Sequence, residues 1–136
     1  MPLLERLLLR GHIDRIKPAD QDISTALDGH WTAENVVLFV GAVGAVTRLI
    51  AARIQGKEKD PAVLVLDPKG EFIIPLLGGH SAGAEQRARE IAMDLGGQAV
   101  ITGACAHEGR LPLDAFGESW GWKRRGSVAH WRDLMV

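Results

Sequence analysis

Five consecutive apolar residues, Val36-Val37-Leu38-Phe39-Val40, run straight into Gly41-Ala42-Val43-Gly44. An unalternating run of this length, rich in β-branched residues, reads as a central strand buried on both faces. Val43, Val46, Ile50 and Ile54 then recur at helical spacing, with Arg48 roughly opposite them, and Gly56 closes that helix. Val63 to Leu66 is the next strand. Asp67-Pro68-Lys69-Gly70 is a turn, with Asp first, Pro second and Gly fourth. Glu71 to Ile74 returns antiparallel to the strand before it. Pro75 has no N–H for a ladder, so the returning strand lies at a sheet edge or stops near Ile74.

Gly78-Gly79-His80-Ser81-Ala82-Gly83 is a loop opening onto another helix. There Ala88, Ile91, Ala92 and Leu95 form the buried stripe, and Glu85 and Arg89 make an outer i,i+4 pair. Gly96-Gly97 ends the helix. Ala99 to Thr102 is a further buried strand, followed by Gly103. The order strand, helix, hairpin, helix, strand predicts a three-layer αβα domain, with a mostly parallel sheet and one antiparallel hairpin. Ligands of such sheets bind beyond strand ends, where glycines admit the backbone. Segments 41–44 and 78–83, with Gly103, are therefore expected at one edge of the sheet. Upstream, Leu3 to Leu9 reads as a helix stopped by Gly11, and Asp22 as the cap of a short helix ending near Gly29.

Composition narrows the function classes. The 136 residues carry 16 Lys and Arg against 17 Asp and Glu, a net charge of −1. That balance excludes a nucleic-acid footprint over the whole surface. One cysteine cannot form an internal disulfide, and the expectation is a cytoplasmic protein. No apolar run reaches the roughly 18 residues of a membrane span, and the start lacks a cleavage site. Tryptophan is lopsided. Three of the four, Trp120, Trp122 and Trp131, fall in the last 17 residues. Residues 1–106 are read as the domain, and 107–136 as a Trp-rich, basic extension packing on it or on a neighbour.

Several residues have the chemistry of a site. The turn Gly41–Gly44 opens a helix whose N–H groups can hold an anion, but it is neither a GxGxxG nor a P-loop pattern. Its plain alternative is a tight turn. Gly79-His80-Ser81-Ala82-Gly83 matches G-x-S-x-G, with Asp114 and His130 following in triad order. Pro75 and the short chain count against a serine hydrolase. His80, in a glycine-rich loop, is the better acid, base or ligand, although loop histidines also serve as structural hydrogen-bonders. Arg48 can hold a carboxylate bidentately, or simply be solvated. Cys105 and His107 supply at most two metal ligands, so no metal site and no cofactor is expected. The tail Trp120-Gly121-Trp122-Lys123-Arg124-Arg125 can stack on single-stranded nucleic acid, but beside a neutral core the plainer reading is a docking segment.

Four blocks carry a resemblance that is more specific than any of these motifs. They are Gly41-Ala42-Val43-Gly44-Ala45-Val46-Thr47-Arg48-Leu49-Ile50-Ala51, Lys59-Asp60-Pro61-Ala62-Val63-Leu64-Val65-Leu66-Asp67, Ile74-Pro75-Leu76-Leu77-Gly78-Gly79-His80 and Ala99-Val100-Ile101-Thr102. In this order they resemble the N-terminal domain of CbiG, the cobalamin-biosynthesis protein, over about residues 36–106. The resemblance implies an α/β fold and action on a cobalt-corrinoid, cobalt-precorrin 5A, whose ring-A lactone is opened with release of acetaldehyde. It implies site positions at Gly41, Gly44, Arg48, Asp67, Gly79, His80 and Gly83, beside Gly78. His80 is expected to activate water, and Arg48 or nearby backbone N–H groups to hold carboxylates or the oxyanion. Full-length members of the family continue into a second domain. Residues 111–124 resemble the junction in fusions of a CbiG-like domain with a precorrin-3B methyltransferase. The partners implied are therefore a corrinoid and such a methyltransferase, with neither nucleic acid nor membrane.

Overall fold

A computed structural model describes residues 2–79 and 83–103. The chain divides into two compact units, 1–100 and 101–136. The first unit holds eight regular elements in order: α1 (Leu3–Leu9), α2 (Ile23–Asp28), β1 (Val36–Val40), α3 (Val43–Ile50), β2 (Ala62–Leu66), β3 (Phe72–Leu77), α4 (Ala84–Leu95) and β4 (Gln98–Ala99). A 3-10 turn, Ala51–Arg53, follows α3. In the second unit the described residues, 101–103, carry neither helix nor strand. The expected domain boundary at 106/107 lies outside the described residues.

The four strands form one sheet in the order β1-β2-β3-β4. β1 pairs parallel with β2, β2 antiparallel with β3, and β3 parallel with β4. The helices α3 and α4 connect the two parallel pairs, since a parallel neighbour needs a crossover. Side chains alternate across the sheet, so β2 supplies both layers. Val63 and Val65 face Leu27 of α2 and Val46 and Ile50 of α3. Leu64 and Leu66 face the other side, where α4 packs across β2, β3 and β4. There Ala84, Ala88, Ile91 and Ala92 are buried, as is Leu7 of α1. Leu3 of α1 and Leu95 of α4 close together over Gly70. The expected three-layer architecture is therefore present.

The central strand is β2, not β1. Every residue of β2 is at most 1% exposed, whereas Val36 of β1 is 42% exposed and its successors only half-buried. Among the described residues β1 has one neighbour, β2, so it is an edge strand. An apolar run shows that a segment is strand-forming; it does not say how many neighbours the strand has. β3 does not stop at Ile74 but runs through Pro75 to Leu77. The sheet tolerates the proline because β4 pairs only with Phe72 and Ile73. On the other side the β2–β3 register shifts at Val63/Leu64, which leaves Leu76 as the extra residue. The last strand is shorter than expected, Gln98–Ala99, extended by a bond from Val100 N to Ile73 O (2.9 Å).

The α3 helix ends four residues before Ile54, which is 46% exposed. Two side chains end it. Arg53 Nε donates to Asp28 Oδ1 (3.0 Å), and its guanidinium donates to Ser24 O and Leu49 O. Asp60, 6% exposed, accepts from Gln55 N (2.9 Å), Gly56 N (3.0 Å) and Trp31 Nε1 (3.1 Å). One carboxylate thus closes the loop into β2 and anchors the loop before β1. At the other end of the unit, Asp94 of α4 accepts from His12 Nε2 (2.8 Å) and from Arg10, which fastens the end of α1. Gly97 has a different role. A Cβ there would lie 2.5 Å from Gly70 O and 2.9 Å from Glu71 O.

Three outcomes follow from this packing. Asp60→Ala leaves three donors without their acceptor and lowers unfolding free energy by at least about 2 kcal/mol in urea melts, with Asp60→Asn losing less. Gly97→Ala must displace the Gly70–Glu71 backbone. It is therefore more destabilising than Gly96→Ala, which carries only the left-handed penalty of roughly 1 kcal/mol at φ +72°. The His12 hydrogen bond, aided by Arg10, holds the Asp94 carboxyl below its usual range against a partial desolvation. A depressed carboxyl stabilises above its unfolded pKa, and that contribution fades as pH falls through the folded value. Wild-type melting temperature therefore drops as pH falls below the ordinary aspartate range, and Asp94→Asn, less stable at neutral pH, shows a shallower drop.

Candidate functional site

The carboxyl ends of β1 and β2 lie side by side, because Val40 pairs with Leu66 and Gly41 N donates to Leu66 O (2.8 Å). From there the chain turns into α3. Its N-cap, Ala42, has no side chain able to cap the helix. The first-turn N–H groups of Val43, Gly44 and Ala45 thus have no acceptor among the described residues. Arg48, one turn on, folds its guanidinium back over this end, with Nη1 3.7 Å from where a Cβ of Gly44 would stand. Arg48 is exposed and makes no ion pair with a described residue. Three amides and a guanidinium facing one space can hold a carboxylate.

Asp67 stands at the same end of the sheet. Its carboxylate accepts from Phe72 N (2.7 Å) and Lys69 N (3.0 Å), while Gly70 N donates to Asp67 O (2.9 Å). The Phe72 N–H above all holds its carboxyl below the ordinary range, against a partial desolvation. Asp67 thus shapes the turn between β2 and β3 and leaves a negative charge beside it.

The second glycine segment is not at this end. β3 runs antiparallel to β2, so Leu77 pairs with Val63 and Gly78 leaves from the amino end of β2. The strands separate the two segments by five residues at about 3.3 Å each, roughly 15 Å. The expectation of a single glycine-lined edge is therefore corrected: Gly41, Gly44, Arg48 and Asp67 share one end, and Gly78, Gly79 and Gly83 the other. A hairpin reverses strand polarity, which spacing along the chain does not reveal. Gly103 belongs to the second unit.

Ala84 N donates to Gly78 O (3.0 Å) and Glu85 N to Gly79 O (3.1 Å), closing the 78–83 loop onto the start of α4. Gly78 and Gly83, at φ +73° and +75°, make both of its corners. Those first-turn amides are already used, unlike the ones at α3. Glu85 is buried, 8% exposed, rather than on the outer face with Arg89. Its Oε1 lies 3.0 Å from the Cβ position of Gly79. His80, Ser81 and Ala82 lie outside the described residues, as do Cys105, His107, Asp114, His130 and the tryptophans of the tail.

Two residues were not singled out by motif reading. The buried stripe of α4, followed backward from Ala92 and Ala88 by seven and three residues, arrives at Glu85, so its burial was legible. Asp60 stood in the sequence only as one residue of the block Lys59 to Asp67, with no role of its own.

Comparison with known proteins adds identity to this geometry. Residues 25–105 match the family described as cobalamin synthesis G N-terminal. A cobalt-precorrin-5A hydrolase of Priestia megaterium is 42% identical over 86 residues, 63% of this chain and 23% of that protein. One from Salmonella typhimurium is 37% identical over 87 residues, 64% of this chain and 25% of that protein. The chain therefore spans about a quarter of the length of these curated relatives. A crystal structure of a cobalamin biosynthesis protein G homolog from Sulfolobus solfataricus superposes with a TM-score of 0.59 at 32% identity, over 73% of this chain and 31% of that one. With more than half its length matched by the family model, and both glycine segments inside the match, the chain belongs to the cobalamin synthesis G N-terminal family.

Proposed function

We propose that this chain acts in cobalamin biosynthesis, binding a cobalt-corrin intermediate and opening its ring-A lactone with release of acetaldehyde. The reading rests on the likeness to two proteins named cobalt-precorrin-5A hydrolase. Lactone opening needs a base for the attacking water and donors for the charge that develops on the carbonyl oxygen. His80 takes the proton from water as its oxygen adds to the lactone carbonyl. The ring C–O bond then breaks, leaving a carboxylate and, with the proton returned by His80, a hydroxyl; that hydroxyl gives up its proton and becomes the aldehyde C=O as the adjacent C–C bond breaks, so acetaldehyde departs and the bonding pair stays on the corrin, which takes up a proton. Gly78, Gly79 and Gly83 let the backbone approach the reacting group.

The separation of the two sheet ends divides the labour. Arg48 and the amides of α3 that no described residue claims, framed by Gly41 and Gly44, stand roughly 15 Å from the Gly78–Gly79 segment, too far to serve a carbonyl held there. They hold a peripheral carboxylate of the corrin, and Asp67 repels a second anion from the turn beside them.

The short span relative to the curated relatives favours one further reading. The chain would then be a corrin-docking module that delivers substrate, for instance to a precorrin methyltransferase, without turnover. Incubation with cobalt-precorrin 5A separates the two. Hydrolysis releases acetaldehyde, His80→Ala abolishes the release, and Arg48→Ala raises KM by about 10-fold or more at little cost in kcat. Binding without acetaldehyde, both alone and with the part of a full-length relative that this chain does not cover, contradicts the enzymatic reading and leaves the docking one.

A further inference from the structure

We infer that β1 is a self-pairing edge, to which a second copy of this chain adds its own β1, antiparallel and about a two-fold axis. The inference stands apart from the corrin reading. Among the described residues the two edges of the sheet are unlike. β4 is two residues long, too short to template another strand. β1 is five residues long and unbroken in register, with no charge, proline or bulge to discourage pairing. Its first residue, Val36, is 42% exposed. The ladder shows which of its main-chain groups are open. Asn35 O accepts from Ala62 N (3.2 Å) and Gly41 N donates to Leu66 O (2.8 Å), so both residues turn their main chain toward β2. In a parallel strand that direction alternates, so Val37 and Phe39 turn toward β2 as well, and Val36, Leu38 and Val40 turn outward. The outward N–H and C=O groups have no protein partner among the described residues.

The strand is complementary to itself. A two-fold axis at Leu38 sets Leu38 opposite its own copy, and Val36 opposite Val40 of the second copy. Each such pair exchanges two N–H···O bonds, so every outward group of β1 is satisfied at once. Head-to-tail addition would need β4 as the receiving edge, and β4 is too short. On the face toward α3, Val37 then stands opposite Phe39 of the second copy, and both already pack on the core of their own chain. Charge agrees with this register. Counted outward, it sets the exposed Glu34 opposite Ala42 of the second copy, the N-cap of α3. A carboxylate is favoured beside the positive start of a helix.

The test is sedimentation velocity of the full chain over a concentration series, with amide exchange read at Leu38. The mass doubles as concentration rises, and exchange of the Leu38 N–H slows with it. In dimers mixed from isotope-labelled and unlabelled copies, the Val37 Hα gives an Overhauser contact to the Phe39 Hα of the other copy. Val36→Pro removes a donor that no bond within the protomer uses, and raises the dissociation constant by about 10-fold or more. Val36→Lys places on the edge a charge of the kind that guards natural edge strands, and weakens the dimer without changing the backbone. A monomer at every concentration overturns the inference, as does a dimer that both Val36 variants leave intact. Slow exchange at Leu38 in the monomer also overturns it, since another segment of the chain then covers the edge. None of these readouts needs turnover or a corrin, so a failure here is distinguishable from a failure of the hydrolase reading.

Discussion

Each side chain of Ala62–Leu66 is withdrawn from water, so each needs apolar cover from its own side of the sheet. Val63 and Val65 obtain it from α2 and α3, while Leu64 and Leu66 lie on the face that α4 crosses. Full burial of one such side chain stabilises by roughly 1.5–3 kcal/mol, so β2 is a large share of what holds two helical layers to one strand. Removing either layer exposes half of it. The polar parts of the fold serve the same end. Asp60 closes the entry to β2, and Asp67 the exit from it.

Because β2 is the axis, its direction decides where chemistry can gather. Its carboxyl end receives Gly41, α3 and Asp67. Its amino end receives, through the antiparallel β3, the loop of Gly78 to Gly83. The two helix starts are unlike. At α4 the first amides bond Gly78 O and Gly79 O, which ties those two residues to the start of the helix. At α3 the amides are unclaimed among the described residues and Arg48 stands over them. An open positive end suits a carboxylate that arrives with the ligand.

Much of this was legible in the residues. The helix stripes, the Asp67–Gly70 turn and the order of elements all follow from periodicity and turn chemistry, which are local. What did not follow was relational. The run Val36–Val40 has the composition of a central strand but occupies an edge, because the number of neighbours is a tertiary property. Pro75 sits inside a strand because β4 is too short to need its N–H and the register shifts beside it. Glu85 looked solvated as the partner of Arg89, although the α4 stripe passes through it. The two glycine segments looked equivalent until the hairpin set them at opposite ends. Arg48 and the α3 turn were recognisable as an anion-holding pair, whereas their distance from the Gly78–Gly79 segment was not.

On the proposed function a corrin ligand engages both ends of this sheet, through a carboxylate at α3 and through the segment before α4. Amide chemical-shift mapping with cobyrinic acid, a corrin whose side chains are free carboxylates, checks this. Perturbations are expected at Val43–Arg48 and at Gly78, Gly79 and Glu85, with those at α3 suppressed in Arg48→Ala. Perturbations confined to α1 and the outer face of α4, or none at saturating ligand, would contradict it.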